Sequence, residues 1–208
     1  MKQVQLTDLV EIKYLPLLRS LRKGYTSTEN SEPFYSVSIQ EINEFGYTII
    51  TDSSRLVMVY ERDLTMISSR EMILKPYDIL ISILHFKVQT GIILDGIKPN
   101  CIANPGFAVL RAKDHQLRKE QSFNIFSFFI SNIGKQFLKT LQGILRPGRR
   151  TLLSRVLIPL LEGNDRETIV NNIEQQIQKY KELEKIKTEI DQIREKNGIV
   201  MFGKDEIY

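Results

Sequence analysis

The sequence predicts an α+β fold, a strand-rich domain with packing helices over residues 1–162, followed by one long coiled-coil-type helix and a C-terminal tail over residues 163–208. Three observations predict it. Up to about Gly163, short runs rich in Ile, Val, Tyr, Phe and Thr alternate with Gly, Pro, Asn and Asp, as strands and turns do. One stretch inside that part spaces its apolar residues at helical intervals. Beyond it, Asp165 to Asn197 holds neither proline nor glycine and repeats an apolar residue every three or four positions.

In order, the strand segments are PFYSVSIQEI, YTIITD, RLVMVYE, YDILISIL, TGIILDG, CIANPG and FAVLRA, so several short strands are expected between Phe34 and Arg111. A packing helix follows over 124–141, with Ile125, Phe128, Phe129, Ile133, Phe137, Leu138 and Leu141 on one face. Gly143, Pro147 and Gly148 break it, Thr151 to Arg155 makes a short turn, and VLIPLL returns to strand. The last element carries Ile169, Ile173, Ile177, Tyr180, Leu183, Ile186, Ile190 and Ile193 as a narrow stripe, and Gly198 is expected to end it. Such a helix would extend roughly 45 to 50 Å. An isolated helix in water is marginal, so the stripe calls for a partner helix, and these eight residues are its expected contacts.

At 208 residues, with 42% hydrophobic and 26% charged side chains, the composition is that of a folding chain rather than a disordered one. The net charge of +4 leans basic without diagnosing a polyanion partner by itself. Cys101 is the only cysteine, which excludes an internal disulfide and a multi-thiolate metal site and suits a reducing cytosol. The N-terminus mixes Asp8 and Glu11 with its apolar residues, unlike a signal peptide, and no apolar run is long enough to span a bilayer. A cytoplasmic chain with no membrane association is expected.

Catalytic frames are absent. No Walker loop, G-x-G-x-x-G, H-E-x-x-H or G-x-S-x-G occurs, and His85 and His115 stand in unrelated contexts without further ligands. Asn104-Pro105-Gly106-Phe107 approaches the Asn/Asp-Pro-Pro-aromatic loop of adenine methyltransferases, but Gly106 replaces the second proline, and the segment reads as a turn. Asp52, Asp63, Asp78 and Asp95 lack the spacing of a nuclease site and read as solvated loop acids. No catalysis, metal or cofactor is expected of this chain.

The cations are better placed. Arg146, Arg149 and Arg150 share a glycine and proline loop that begins at Gly143, where guanidinium groups could reach phosphates or guanine edges. Arg22 and Lys23 precede Gly24 and Tyr25 in a second basic loop. A third segment, His85 to Gln89, adds His85, Lys87 and Gln89. Two basic glycine loops in one small domain favour a polyanion, and the set Arg22, Lys23, Tyr25, His85, Lys87, Gln89, Gly143, Arg146, Arg149 and Arg150 is its expected contact. A protein-binding adaptor with an oligomerising helix is the competing reading, since each loop alone could be an ordinary solvated turn.

The order of parts resembles the specificity subunits of type I restriction-modification systems. A basic N-terminal turn leads to Leu74-Lys75-Pro76-Tyr77-Asp78-Ile79-Leu80, then to Asn104-Pro105 and Val109-Leu110-Arg111, a helix, the basic loop, Ile158-Pro159-Leu160 and the long helix. The family pattern Leu-x-x-Gly-Asp-Ile-Leu is met at Leu74, Asp78, Ile79 and Leu80, with Tyr77 in place of glycine, so the turn there is expected to differ. The resemblance implies a target recognition domain that reads half of a split DNA site and a helix that pairs with another, antiparallel. It further implies partners that do the chemistry, namely adenine methyltransferase subunits using S-adenosylmethionine and a motor subunit for cleavage. Family members carry two such domains and two helices; room for one of each implies a half-subunit that homodimerises, or a fragment.

Overall fold

A computed structural model describes residues 2–14, 18, 30–50, 54, 56–69, 71–83, 89–142, 144 and 151–202. The chain divides into two compact units, Met1–Glu162 and Gly163–Tyr208. In the first, the elements run β1 (Gln3–Gln5), α1 (Leu6–Leu9), β2 (Val10–Tyr14), β3 (Ser31–Val37), β4 (Tyr47–Thr48), β5 (Leu56–Tyr60) and α2 (Glu61–Ser69). They continue as β6 (Ile79–Ser82), β7 (Thr90–Ile93), β8 (Cys101–Ala103), β9 (Phe107–Ala112), α3 (Arg118–Ile130), α4 (Asn132–Gln142) and β10 (Leu157–Pro159). The second unit is α5 (Gly163–Phe202).

The strands form a five-stranded sheet in the order β2-β9-β6-β7-β4, a three-stranded sheet β5-β3-β8, and a two-stranded ladder of β1 with β10. Every strand segment read between Phe34 and Arg111 is a strand or contains one. The central strands β6 and β9 are buried on both faces, which is why ILIS and FAVLRA read as unbroken rather than alternating runs. By contrast β5 alternates, with Val57 and Val59 inward and Leu56 and Met58 outward. One core joins Leu80, Ile93, Phe107 and Val109 to Val37, Ile42 and Leu74; a second joins Phe34, Val57 and Val59 to Ile67 of α2 and to Leu18.

Four expectations change. The first fourteen residues supply β1 and β2, each paired to a late strand, β10 and β9 respectively. No helix was expected at α2, which follows β5 without an intervening turn residue. The single helix over 124–141 is two. Ser131 ends α3 and caps α4, its hydroxyl donating to the Phe128 carbonyl at 2.6 Å and accepting from the Gly134 amide at 3.2 Å. The bend turns Ile133 outward, 71% exposed, while Ile125, Phe129, Leu138 and Leu141 stay buried. Finally, α5 passes through Gly198 to Phe202. A glycine inside a helix costs about 1 kcal/mol, and no proline follows it to force a stop.

Candidate nucleic-acid interface

The register of the five-stranded sheet sets which chain segments meet. Tyr14 lies opposite Ala108, Ala108 opposite Ile81, and Ile81 opposite Thr90, so these four residues form one row across β2, β9, β6 and β7. At that row β2 and β6 are ending while β9 and β7 are beginning. Tyr14, which precedes the Arg22–Tyr25 loop in the chain, and Ile83 and Gln89, which bracket His85 and Lys87, therefore stand at the same end of the sheet. The helix α3 runs towards that end: Arg118 reaches Asp78, the Phe123 ring lies 5.7 Å from Tyr77, and further on Phe126 lies 6.2 Å from Tyr47 and against Gly46. A side chain on Gly46 would stand 2.9 Å from the Phe126 ring and 3.1 Å from the Thr90 carbonyl, so glycine is needed for this approach. The corner at Ser131 and the start of α4 lie beyond Phe126 in the same direction.

Of the expected DNA contacts, Arg22, Lys23, Tyr25, His85, Lys87, Gly143, Arg146, Arg149 and Arg150 lie outside the described residues. Gln89 lies within them, and its side-chain amide is engaged: Nε2 donates to the Ile42 carbonyl at 3.2 Å and to that of Asn43 at 3.5 Å. Its carbonyl accepts from the Ser82 amide at 2.9 Å. Gln89 thus fastens the start of β7 to the 42–43 turn, a structural use that the sequence did not suggest.

At the opposite end of the sheet stands an ion network. Asp78 is fully buried, and its carboxylate accepts from Arg111 at 3.0 and 2.6 Å, from Arg118 at 2.8 Å and from the Lys75 amide at 2.9 Å. Arg111, 3% exposed, also donates to the carbonyls of Glu71 and Ile73. The exposed Glu71 carboxyl is held below the usual range by a hydrogen bond and charge from Lys13, with Lys75 and Arg111 adding to the effect. Reading Asp78 as a solvated acid was wrong, as it was for Asp63, which is 4% exposed. Two arginines and the Lys75 amide fill the acceptor positions of the Asp78 carboxylate, the arrangement of a structural ion pair.

The same turn settles Tyr77. Its φ is +67°, the left-handed region that glycine occupies at no cost, so the backbone of the turn keeps the glycine conformation despite the substitution. The ring lies edge-on to Phe123 and beneath the Lys119 ammonium, and the hydroxyl donates to Asp95. These contacts offset the backbone strain. Asn104 is likewise occupied, accepting from the Gly106 amide at 3.1 Å in the turn that joins β8 to β9, as the sequence indicated. Cys101 is buried, and desolvation pushes its thiol up to about 11 against a smaller pull from Lys98. His115 is exposed. Among the described residues no three acidic, histidine or cysteine side chains gather as a metal site would need, and no helix is long and apolar enough to cross a membrane.

On α5, Ile173 and Tyr180 are buried, while Ile169 and Ile177 are half-buried. Leu183, Ile186, Ile190 and Ile193 are 40 to 56% exposed. The uncovered part of the stripe is thus its second half.

An α+β unit with a mixed central sheet and a long helix after it is a fold found among solved structures. A chain from work on complex assembly and conformational transition of the type I R-M system is similar over 97% of this chain and 45% of its own length, at 19% identity and a TM-score of 0.51. The HsdS subunit from Thermoanaerobacter tengcongensis is similar over 98% and 45%, at 19% identity and a TM-score of 0.43. The resemblance to specificity subunits of type I restriction-modification systems therefore holds in fold. The chain spans less than half the length of either structure. No family model and no curated protein matches it.

Proposed function

We propose that this chain is a sequence-specific double-stranded DNA recognition subunit of a type I restriction-modification system, acting in the cytoplasm without catalysing a reaction. It reads one half of a bipartite site and positions DNA adenine methyltransferase subunits. The observation that carries this reading is the row Tyr14–Ala108–Ile81–Thr90, which puts the end of β2, before the Arg22–Tyr25 loop in sequence, and the ends of β6 and β7 that bracket His85 and Lys87 at one end of a sheet. Cations on segments anchored side by side can follow a phosphate backbone, while base edges are read by the side chains between them. The ion pairs of Asp78 and the turn hydrogen bond of Asn104 give both residues structural uses, in keeping with a non-catalytic chain. A second copy supplies the other half-site, with Leu183, Ile186, Ile190 and Ile193 as the contact between helices.

Selection of bound sequences from a random duplex pool tests the proposal, with affinity followed against salt. A DNA reader with several phosphate contacts yields a consensus and loses affinity steeply as salt rises. A protein adaptor yields neither, and that result overturns the proposal.

A further inference from the structure

Between Glu120 and Glu162 the sequence holds no aspartate or glutamate, in a chain that has 25 of them. Lys135, Lys139, Arg146, Arg149, Arg150 and Arg155 all fall in that interval. Chance placement at the chain's average would have scattered several acids there. The described part of the interval includes α3 and α4, and α4 is amphipathic: Gly134, Leu138 and Leu141 are buried, whereas Asn132, Ile133, Lys135, Gln136, Lys139 and Thr140 are exposed. This outer face carries two amides, two ammonium groups and an isoleucine that is 71% exposed, with no carboxylate.

Each component has a counterpart on duplex DNA. Asn and Gln amides match the paired donor and acceptor of adenine in the major groove, an aliphatic side chain meets the thymine methyl, and lysines neutralise phosphates. An eleven-residue helix is about 16 Å long, and a helix fits the width of the major groove. A protein partner of ordinary composition would meet two uncompensated lysines on this face; a polyanion would not.

Two features make the face a built one. The helix is held at a fixed corner, because Gly134 packs so closely on α3 that an added Cβ would lie 2.1 Å from the Phe128 carbonyl oxygen. The Phe128, Phe129 and Phe137 rings, with centroids 5.2 and 6.4 Å apart in sequence, brace that corner. Furthermore, the corner lies in the direction of the sheet end where β2 and β6 finish, as the course of α3 from Asp78 to Gly46 shows.

We infer that the outer face of α4, with Asn132, Ile133, Lys135, Gln136 and Lys139, contacts duplex DNA. The inference rests on the DNA-recognition reading and adds a helix to an interface that the sequence had assigned to loops alone.

The test is the full chain carrying Lys135→Glu and Lys139→Glu, measured on a random-sequence duplex pool across a salt series. Its control carries Lys181→Glu and Lys185→Glu on α5, which change net charge equally. The α4 variant is expected to bind roughly tenfold more weakly at low salt and to lose about two units of salt slope, with the control near wild type. Equal weakening of both variants reports overall charge only and overturns the inference. A second variant, Asn132→Ala with Gln136→Ala, is expected to alter the selected consensus while the helical signal and melting temperature stay unchanged; an unaltered consensus also counts against it. Wild-type chain that binds no duplex overturns the DNA-recognition reading itself.

Discussion

Asp78 shows what one residue carries in this fold. Its carboxylate joins the start of β6 to Arg111 of β9 and Arg118 of α3, all with little exposure to water. Removing one partner of a buried pair leaves the other charge desolvated and uncompensated, at about 3–5 kcal/mol. Asp78→Ala should therefore lower the urea midpoint by a corresponding amount, and a change under 1 kcal/mol would show that Arg111 is satisfied by the Glu71 and Ile73 carbonyls alone. The acid was visible in the sequence but its setting was not, because Arg111 stands 33 residues away and only strand pairing brings the two together. Its place in Leu-x-x-x-Asp-Ile-Leu was the available signal. Similarly, nothing local distinguishes Gln89 as a brace, since the carbonyls that it reaches lie 47 and 46 residues back.

Among elements, those with a strong period were legible and those defined by a corner were not. Strands β3 to β9 announce themselves by β-branched and aromatic runs between turn residues, and α5 by its stripe. The α3–α4 corner has no proline, and its apolar spacing runs across Ser131 almost unbroken, so one helix was the natural reading. Ser131 itself, a favoured N-cap residue followed by Asn132, was the faint sign of a new helix start. Gly134→Ala should cost about 1–3 kcal/mol, as overpacking does, because its Cβ would meet backbone rather than a movable side chain. Calorimetry checks this, and a neutral or stabilising outcome would mean that the corner opens freely.

For the molecule as a whole, the sequence showed the fold class and the basic segments; what it could not show was which segments share an end of the sheet, since that follows from long-range register. The helix stripe was legible as a stripe, but not that exposure rises along it, from buried Ile173 and Tyr180 to exposed Leu183, Ile186, Ile190 and Ile193. Pairing of two copies should accordingly depend on the distal residues. Ile186→Lys with Ile190→Lys is expected to convert a dimer to a monomer in sedimentation, with the first unit still folded, and an unchanged sedimentation coefficient would refute pairing through this face.

The ladder of β1 with β10 has a temporal side. Gln3 lies opposite Pro159, and the Leu160 amide donates to the Lys2 carbonyl, so β1 waits for β10, which is made much later. At ribosomal speeds of ~5–20 residues per second, that wait is on the order of ten seconds or more. During it β1 offers unpaired backbone to any passing strand, and the newborn chain relies on the cell to keep that edge out of trouble.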